Sequence, residues 1–179
     1  AYFDRGMNKQ AILVLDVALK VIHRPQLIKN EKARRAFVED KAGCHACLKT
    51  HAAIQLSQAM DMATAVSANV FPRTTALGNA GTSLQEAQVQ NEDAEVLCLL
   101  GRLYLSQLPP NYELARKAFD KAMRHDKTNL FALIGRATCR FFNTDNKVGP
   151  LHDYEGARAD LAAALRLHPG APNALRVGL

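Results

Sequence analysis

The sequence predicts an all-α protein in which antiparallel pairs of helices stack into a solenoid. The composition is the first indication: the 179 residues are 48% hydrophobic but only 6% aromatic, without tryptophan. Such a composition favours helices that pack closely through small side chains over a β-sandwich or barrel. Two repeated patterns are the second and third indications. Leu99–Arg102 (Leu-Leu-Gly-Arg) and Leu133–Arg136 (Leu-Ile-Gly-Arg) stand 34 residues apart, and a spacing of alanine, large apolar residue and alanine occurs four times.

The fourfold pattern describes one face of a helix. Its members are separated by four and then three residues, so all three side chains project from the same side. Two small residues and one large residue form a face that a second helix can approach closely, and stacked hairpins bury such faces on one another. The four sets are Ala11, Leu15 and Ala18; Ala80, Leu84 and Ala87; Ala115, Phe119 and Ala122; and Ala157, Leu161 and Ala164.

These patterns divide the chain into six consecutive segments. Gly149-Pro150 marks a loop and Pro169-Gly170 ends a helix. Neither end of the chain reads as a polar cap, so we expect a fragment of a longer array. The segments are 1–22, the end of a repeat with its second helix; 23–39, a linker; 40–93, an atypical repeat with a long first helix and a flexible inter-helix stretch at 69–79; 94–127, a repeat; 128–169, a repeat with a loop insertion at 143–150; and 170–179, the start of a further repeat.

The repeats resemble the tetratricopeptide repeat. The likeness is carried by the 34-residue period, the small–large–small second helix, Gly101, Gly135 and Ala137 in the first helices, and the closing Pro169. Two positions depart from the family pattern, since Lys127 stands where proline is usual and Leu103 where glycine or alanine is usual. The resemblance implies a right-handed superhelix that binds other proteins.

A more specific resemblance is found in the amino-acid sequence of the last repeats. Asn129–Cys139, Asp153–Ala157 and Leu175–Gly178 are similar to the large repeat scaffold subunits of the polymerase-associated-factor (Paf) complexes, and so are Leu99–Arg102 and Cys47–Ala53. This resemblance implies a nuclear protein that acts in transcription elongation. Its partners would be other subunits of that complex and RNA polymerase II. The alternative is a different tetratricopeptide adaptor or co-chaperone, which binds peptide segments of other proteins.

The family resemblance also suggests a binding groove lined by the first helices. Chaperone-tail receptors of this family hold a carboxylate with lysine and asparagine, but the matching positions here carry Leu100, Tyr104 and Ile134. We therefore expect the groove to accept an apolar segment, unless these side chains contact a neighbouring repeat instead. The expected lining is Leu100, Tyr104, Ile134, Thr138 and Phe142, with Arg102 and Arg136 nearby.

Candidate chemical sites are few. Cys44, Cys47 and His51 share one helix face and are zinc-ligand types, but a structural zinc site needs four ligands. Packing of the two cysteines as small buried residues is therefore the preferred interpretation, with a metal or redox site as the alternative. The chain has no nucleophile elbow and no phosphate-binding loop. We predict no enzymatic activity, no cofactor and no metal.

Charge is the last feature that bears on partners. The chain has a net charge of +6 and four cysteines, which do not suggest a secreted disulfide framework. The longest apolar run, 11–21, is interrupted by Asp16 and Lys20, so no membrane partner is expected. Two basic clusters permit phosphate or acidic partners, although contact with nucleic acid is not indicated. They are Lys29, Lys32, Arg34 and Arg35 in the linker, and Arg116, Lys117, Lys121 and Arg124 on a second helix.

Overall fold

The chain is all-α, as the sequence predicts. The computed structural model describes residues 5–64, 70–142, 153–167 and 169. Within these ranges the chain forms eight α-helices and one short 3₁₀ helix, with no strand among them. Two compact units make up the chain, Ala1–Asn91 and Glu92–Leu179.

The first unit is built around one long helical hairpin. Its helices are α1 (Arg5–His23), α2 (Glu31–Glu39), α3 (Lys41–Thr64) and α4 (Val70–Gln90), with a 3₁₀ helix at Pro25–Leu27. Helices α3 and α4 pack along each other, and α1 lies against α3. Alanines between the leucines let the helices approach closely. The buried contact residues are Leu48, Ala52, Leu56 and Ala59 of α3, and Ala76, Ala80, Leu84 and Ala87 of α4.

In the part that the structure describes, the second unit contains four shorter helices, each capped at its N-terminus by an Asp or Asn side chain. They are α5 (Ala94–Leu105), α6 (Tyr112–His125), α7 (Leu130–Phe142) and α8 (Tyr154–Leu167). The side-chain oxygens of Asp93, Asn111, Asn129 and Asp153 accept hydrogen bonds of 2.8–3.0 Å from the backbone N–H three residues further along. Each cap satisfies a backbone donor that the first turn leaves unpaired.

Phe119 of α6 packs between two glycines at matching positions of α5 and α7. A Cβ atom added at Gly101 would lie 2.5 Å from Cζ of the ring, and one added at Gly135 would lie 2.3 Å from the same atom. Carbon atoms do not approach this closely, so only glycine lets both helix backbones reach the ring. Because Gly101 and Gly135 are 34 residues apart, one aromatic ring joins the two copies of the tetrapeptide pattern.

The structure differs from the sequence-based boundaries in two places. The segment 23–39, expected as a linker, contains the 3₁₀ helix and the nine-residue α2. The stretch 69–79, expected between helices, belongs to α4 from residue 70 onward. Other predicted features, the insertion at 143–150 and the further repeat at 170–179, lie outside the described residues.

Candidate protein-binding surfaces

The five predicted groove residues lie on α5 and α7, which contact each other in the second unit. The structure leaves Leu100 only 6% exposed, and Ile134 packs against the cluster formed by Leu133 and Ala164. Tyr104 and Thr138 are half-buried and Phe142 is exposed. Ile134 is half-buried as well, so the accessible lining residues outside that cluster are Tyr104, Thr138 and Phe142.

An aromatic cluster at the end of α7 extends this surface. The ring of Phe142 stacks on Tyr112 at 6.4 Å between centroids and meets Phe141 edge-on at 4.9 Å. Phe141 in turn meets Tyr154 at 5.3 Å. Phe142 and Tyr154 retain much exposed surface, and partly exposed aromatic side chains are common anchors of protein interfaces. Sequence reasoning missed the cluster because Tyr112 and Tyr154 are distant along the chain from the adjacent Phe141 and Phe142, which were the available signal.

The two arginines near the predicted groove have other partners. Arg136 donates to both carboxylate oxygens of Asp160, at 2.6 and 2.9 Å, and to Asp120 at 3.2 Å. These hydrogen bonds raise the pKa of Arg136, with that to Asp160 contributing most. Burial lowers the pKa of Arg102 instead. The Arg136 charge therefore anchors α7 to α6 and α8.

Asp160 is the centre of this ion network. It is 5% exposed and also accepts a 2.9 Å hydrogen bond from Arg140, which further donates to the Gly156 carbonyl at 3.0 Å. Two guanidinium groups on α7 thus hold one buried carboxylate on α8. Sequence reasoning missed the network because nothing in the local pattern pairs α7 with Asp160.

The alanine–large–alanine residues lie at helix contacts to different degrees. The sets of α4 and α6 and Ala164 are at most 1% exposed, and Ala157 is 3% exposed. Ala137 is buried, whereas Leu161 and the set of α1 are half-buried and Pro169 is exposed. The described members are Ala11, Leu15 and Ala18 on α1; Ala80, Leu84 and Ala87 on α4; Ala115, Phe119 and Ala122 on α6; and Ala157, Leu161 and Ala164 on α8.

His51, a member of the possible zinc set, takes part in a hydrogen-bonded link between three helices. Its Nδ1 shares a 2.8 Å hydrogen bond with Ser83 of α4, and its Nε2 lies 3.3 Å from Gln55 of α3 and 3.3 Å from Asp16 of α1. Burial lowers the pKa of His51, and the Asp16 charge opposes this shift. Cys44 and Cys47 are half-buried on the same helix. Among the described residues no group of three His, Cys, Asp or Glu side chains is arranged to hold a metal ion.

A carboxylate, an imidazole and a hydroxyl that are hydrogen-bonded one to the next also form the arrangement that activates a serine nucleophile. Here His51 is 3% exposed and Ser83 is 4% exposed. A substrate in solution does not reach a hydroxyl buried to this degree. The three groups therefore connect α1, α3 and α4 in this structure.

The two predicted basic clusters differ in their ion pairs. On α6, Lys117 pairs with Glu113 at 2.7 Å, and Lys121 pairs with Glu92 at 3.4 Å. The linker cluster lies on α2 and the residues before it, where Arg35 pairs with Glu31. The positive charge near α2 is therefore less neutralised than that on α6.

Comparison with known proteins adds no assignment. No family model, no curated protein and no solved structure matches this chain. Among the described helices, none combines the length and the apolar character needed to cross a bilayer.

Proposed function

We propose that this chain is a non-catalytic protein–protein interaction scaffold, built as a tetratricopeptide-type solenoid. The observation that carries the proposal is the Phe119 ring between Gly101 and Gly135. In a tandem array, each second helix packs against the first helix of its own repeat and that of the next repeat. A ring on α6 that contacts equivalent glycines of α5 and α7 meets this requirement.

The order of helix contacts in the second unit supports the same architecture. Each helix contacts the next along the chain, and α5 also contacts α7. First helices that touch each other form a continuous surface in such arrays. The accessible Tyr104, Thr138 and Phe142 lie on this pair of helices, so they are the proposed partner-binding residues.

The proposed biological setting is a nuclear transcription elongation complex associated with RNA polymerase II. It rests on the resemblance of Asn129–Cys139, Asp153–Ala157 and Leu175–Gly178 to the Paf scaffold subunits. In this setting the chain would hold other subunits together, and recognition of protein segments would be its activity.

Affinity purification of the tagged protein from nuclear and cytosolic extracts tests the proposal. We expect RNA polymerase II and Paf-complex subunits to co-purify, as identified by mass spectrometry. Recovery of cytosolic chaperones alone would support the alternative, an adaptor that binds chaperone tails.

A groove variant and a control variant test the surface. Tyr104→Asp combined with Thr138→Arg places charge on the proposed binding face, and we expect it to remove the co-purifying subunits. Val89→Asp places charge at an 89% exposed position of α4 and serves as the control. Equal losses with both variants, at unchanged helical circular dichroism, would contradict this location.

A further inference from the structure

The first unit carries a concentrated positive surface that the proposed groove does not use. Residues 20–35 contain six lysines and arginines but only one carboxylate, Glu31, so this short segment holds five of the chain's six net positive charges. It covers the end of α1, the 3₁₀ helix and the start of α2. The six basic residues, here called the basic ridge, are Lys20, Arg24, Lys29, Lys32, Arg34 and Arg35.

The basic ridge is open to solvent and little neutralised. Five of its side chains are exposed, and Arg34 is half-buried. Arg35 pairs with Glu31 one helical turn away. Among the described residues, no carboxylate lies within ion-pair distance of the other five cations. His23, which lies within the segment, contacts Glu86 at 2.8 Å.

Shallow concavities follow the ridge and have a partly apolar floor. One of about 350 Å³ is lined by Lys20, His23, Arg24 and Leu27. The next, of about 410 Å³, is lined by Pro25, Gln26, Arg34, Arg35 and Glu39. Leu27 is 57% exposed at this site. The alkyl stems of lysine and arginine add apolar surface beneath their charged ends.

We infer that the basic ridge binds an acidic segment of a partner protein that carries an apolar side chain. Aspartate and glutamate of the segment complement the unpaired cations, and the apolar side chain packs on Leu27. The nine residues of α2 extend about 14 Å. An extended segment at about 3.3 Å per residue covers this length with four or five residues.

Two features favour an acidic protein segment over a nucleic acid. Residues 20–35 contain no phenylalanine, tyrosine or tryptophan on which a base could stack. Glu31 and Glu39 also line the concavity beside α2, where they would repel a continuous phosphate backbone. An acidic peptide avoids this repulsion because its charged residues can alternate with apolar ones.

Fluorescence anisotropy tests this inference on the full chain. The probe is a fluorescein-labelled peptide that repeats Asp-Glu-Leu over about twelve residues. Arg24→Glu combined with Lys29→Glu and Lys32→Glu is expected to weaken binding at least about 30-fold. The matched control, Arg116→Glu with Arg124→Glu and Lys127→Glu, removes equal charge from exposed positions of the second unit and is expected to weaken it less than about threefold.

The apolar contact has its own test, which does not depend on charge reversal. Leu27→Ser changes one exposed side chain and is expected to weaken binding of the peptide about three- to tenfold. Helical circular dichroism establishes that each variant is folded. Because α2 begins at an Asn30 cap, Lys29→Ala offers a milder charge variant outside the helix.

Three results would overturn the inference. The first is an equal loss with the matched control, which would mean attraction by net charge alone. The second is tighter binding of labelled oligo-dT or of phosphatidylserine vesicles than of the peptide. The third is unchanged binding when serine replaces every leucine in the probe. None of these variants touches Tyr104 or Thr138, so the outcome is independent of the partners recovered through the proposed groove.

Discussion

At the scale of single residues, the space around Phe119 is the most sharply defined feature. A Cβ atom at Gly135 would lie 2.3 Å from the ring, whereas a Cβ atom at Gly78 of α4 would have no atom within 4 Å. We expect Gly135→Ala to lower the free energy of unfolding by about 1–3 kcal/mol, because the ring or a helix must move. Gly78→Ala should raise it by about 0.5–1 kcal/mol, since alanine is the better helix former. Urea denaturation of both variants measures the difference.

A smaller side chain at position 119 tests whether contact with the Phe119 ring is what destabilises Gly135→Ala. Phe119→Leu alone should destabilise the protein, because it leaves a cavity between two helices. In the Gly135→Ala background the added methyl group occupies part of that space, so the same change should cost at least about 0.5 kcal/mol less. Strictly additive effects would show that the glycine and the ring do not share one site.

At the scale of elements, the ion network decides how α8 is held. Asp160→Ala would leave the guanidinium groups of Arg136 and Arg140 partly buried without their common carboxylate. We expect a loss of about 3 kcal/mol in the free energy of unfolding, together with faster amide hydrogen exchange in α8. Glu113→Ala, which breaks the exposed pair with Lys117, should change neither measurement detectably. Similar effects of the two variants would contradict the role given to Asp160.

The His51 link between α1, α3 and α4 makes stability depend on pH. Its pKa is lowered from 6.5 by burial, so the unfolded chain binds a proton more readily than the folded one. The contribution of His51 to the free energy of unfolding is therefore fully present above about pH 6.5. It is lost as the pH falls through the pKa of His51 in the folded state. Unfolding curves between neutral and mildly acidic pH should show a steeper loss for the native protein than for His51→Gln. His125→Gln, which makes the same substitution at an exposed histidine, is the control.

Whether a helix or a contact could be predicted from the sequence depends on how far apart along the chain the residues that form it lie. The 34-residue spacing and the alanine–large–alanine faces are local patterns, and α5, α6 and α7 lie where these patterns indicate. Helix α2 was missed because charged residues fill five of its nine positions, so the segment is strongly polar overall although its few apolar residues share one face. The Asp160 network and the aromatic cluster were missed because each joins side chains far apart in sequence.

At the scale of the whole molecule, the two proposed surfaces differ in chemistry and belong to different units. The groove of the second unit presents aromatic side chains, and the basic ridge of the first presents unpaired cations. Salt screens exposed charges but does not weaken apolar contacts. Raising the salt concentration in the affinity purification should therefore release partners held by the basic ridge before those held by Tyr104 and Phe142. Arg24→Glu combined with Lys29→Glu should release the partners of the basic ridge without raised salt, and should leave the partners of Tyr104 and Phe142 bound.

The reactivity of the four cysteine thiols, two in each unit, tests the alternative of a metal or redox site. Burial raises the pKa of Cys98 and of Cys139 to about 12, and burial followed by the Asp40 charge raises that of Cys44. Since the thiolate is the reactive form, we expect Cys98 and Cys139 to react with a disulfide reagent only after unfolding in guanidinium. At most two thiols should therefore react in the native protein. Stoichiometric zinc in the purified protein, or a fast-reacting native thiol that His51→Gln slows, would instead support a site at Cys44, Cys47 and His51.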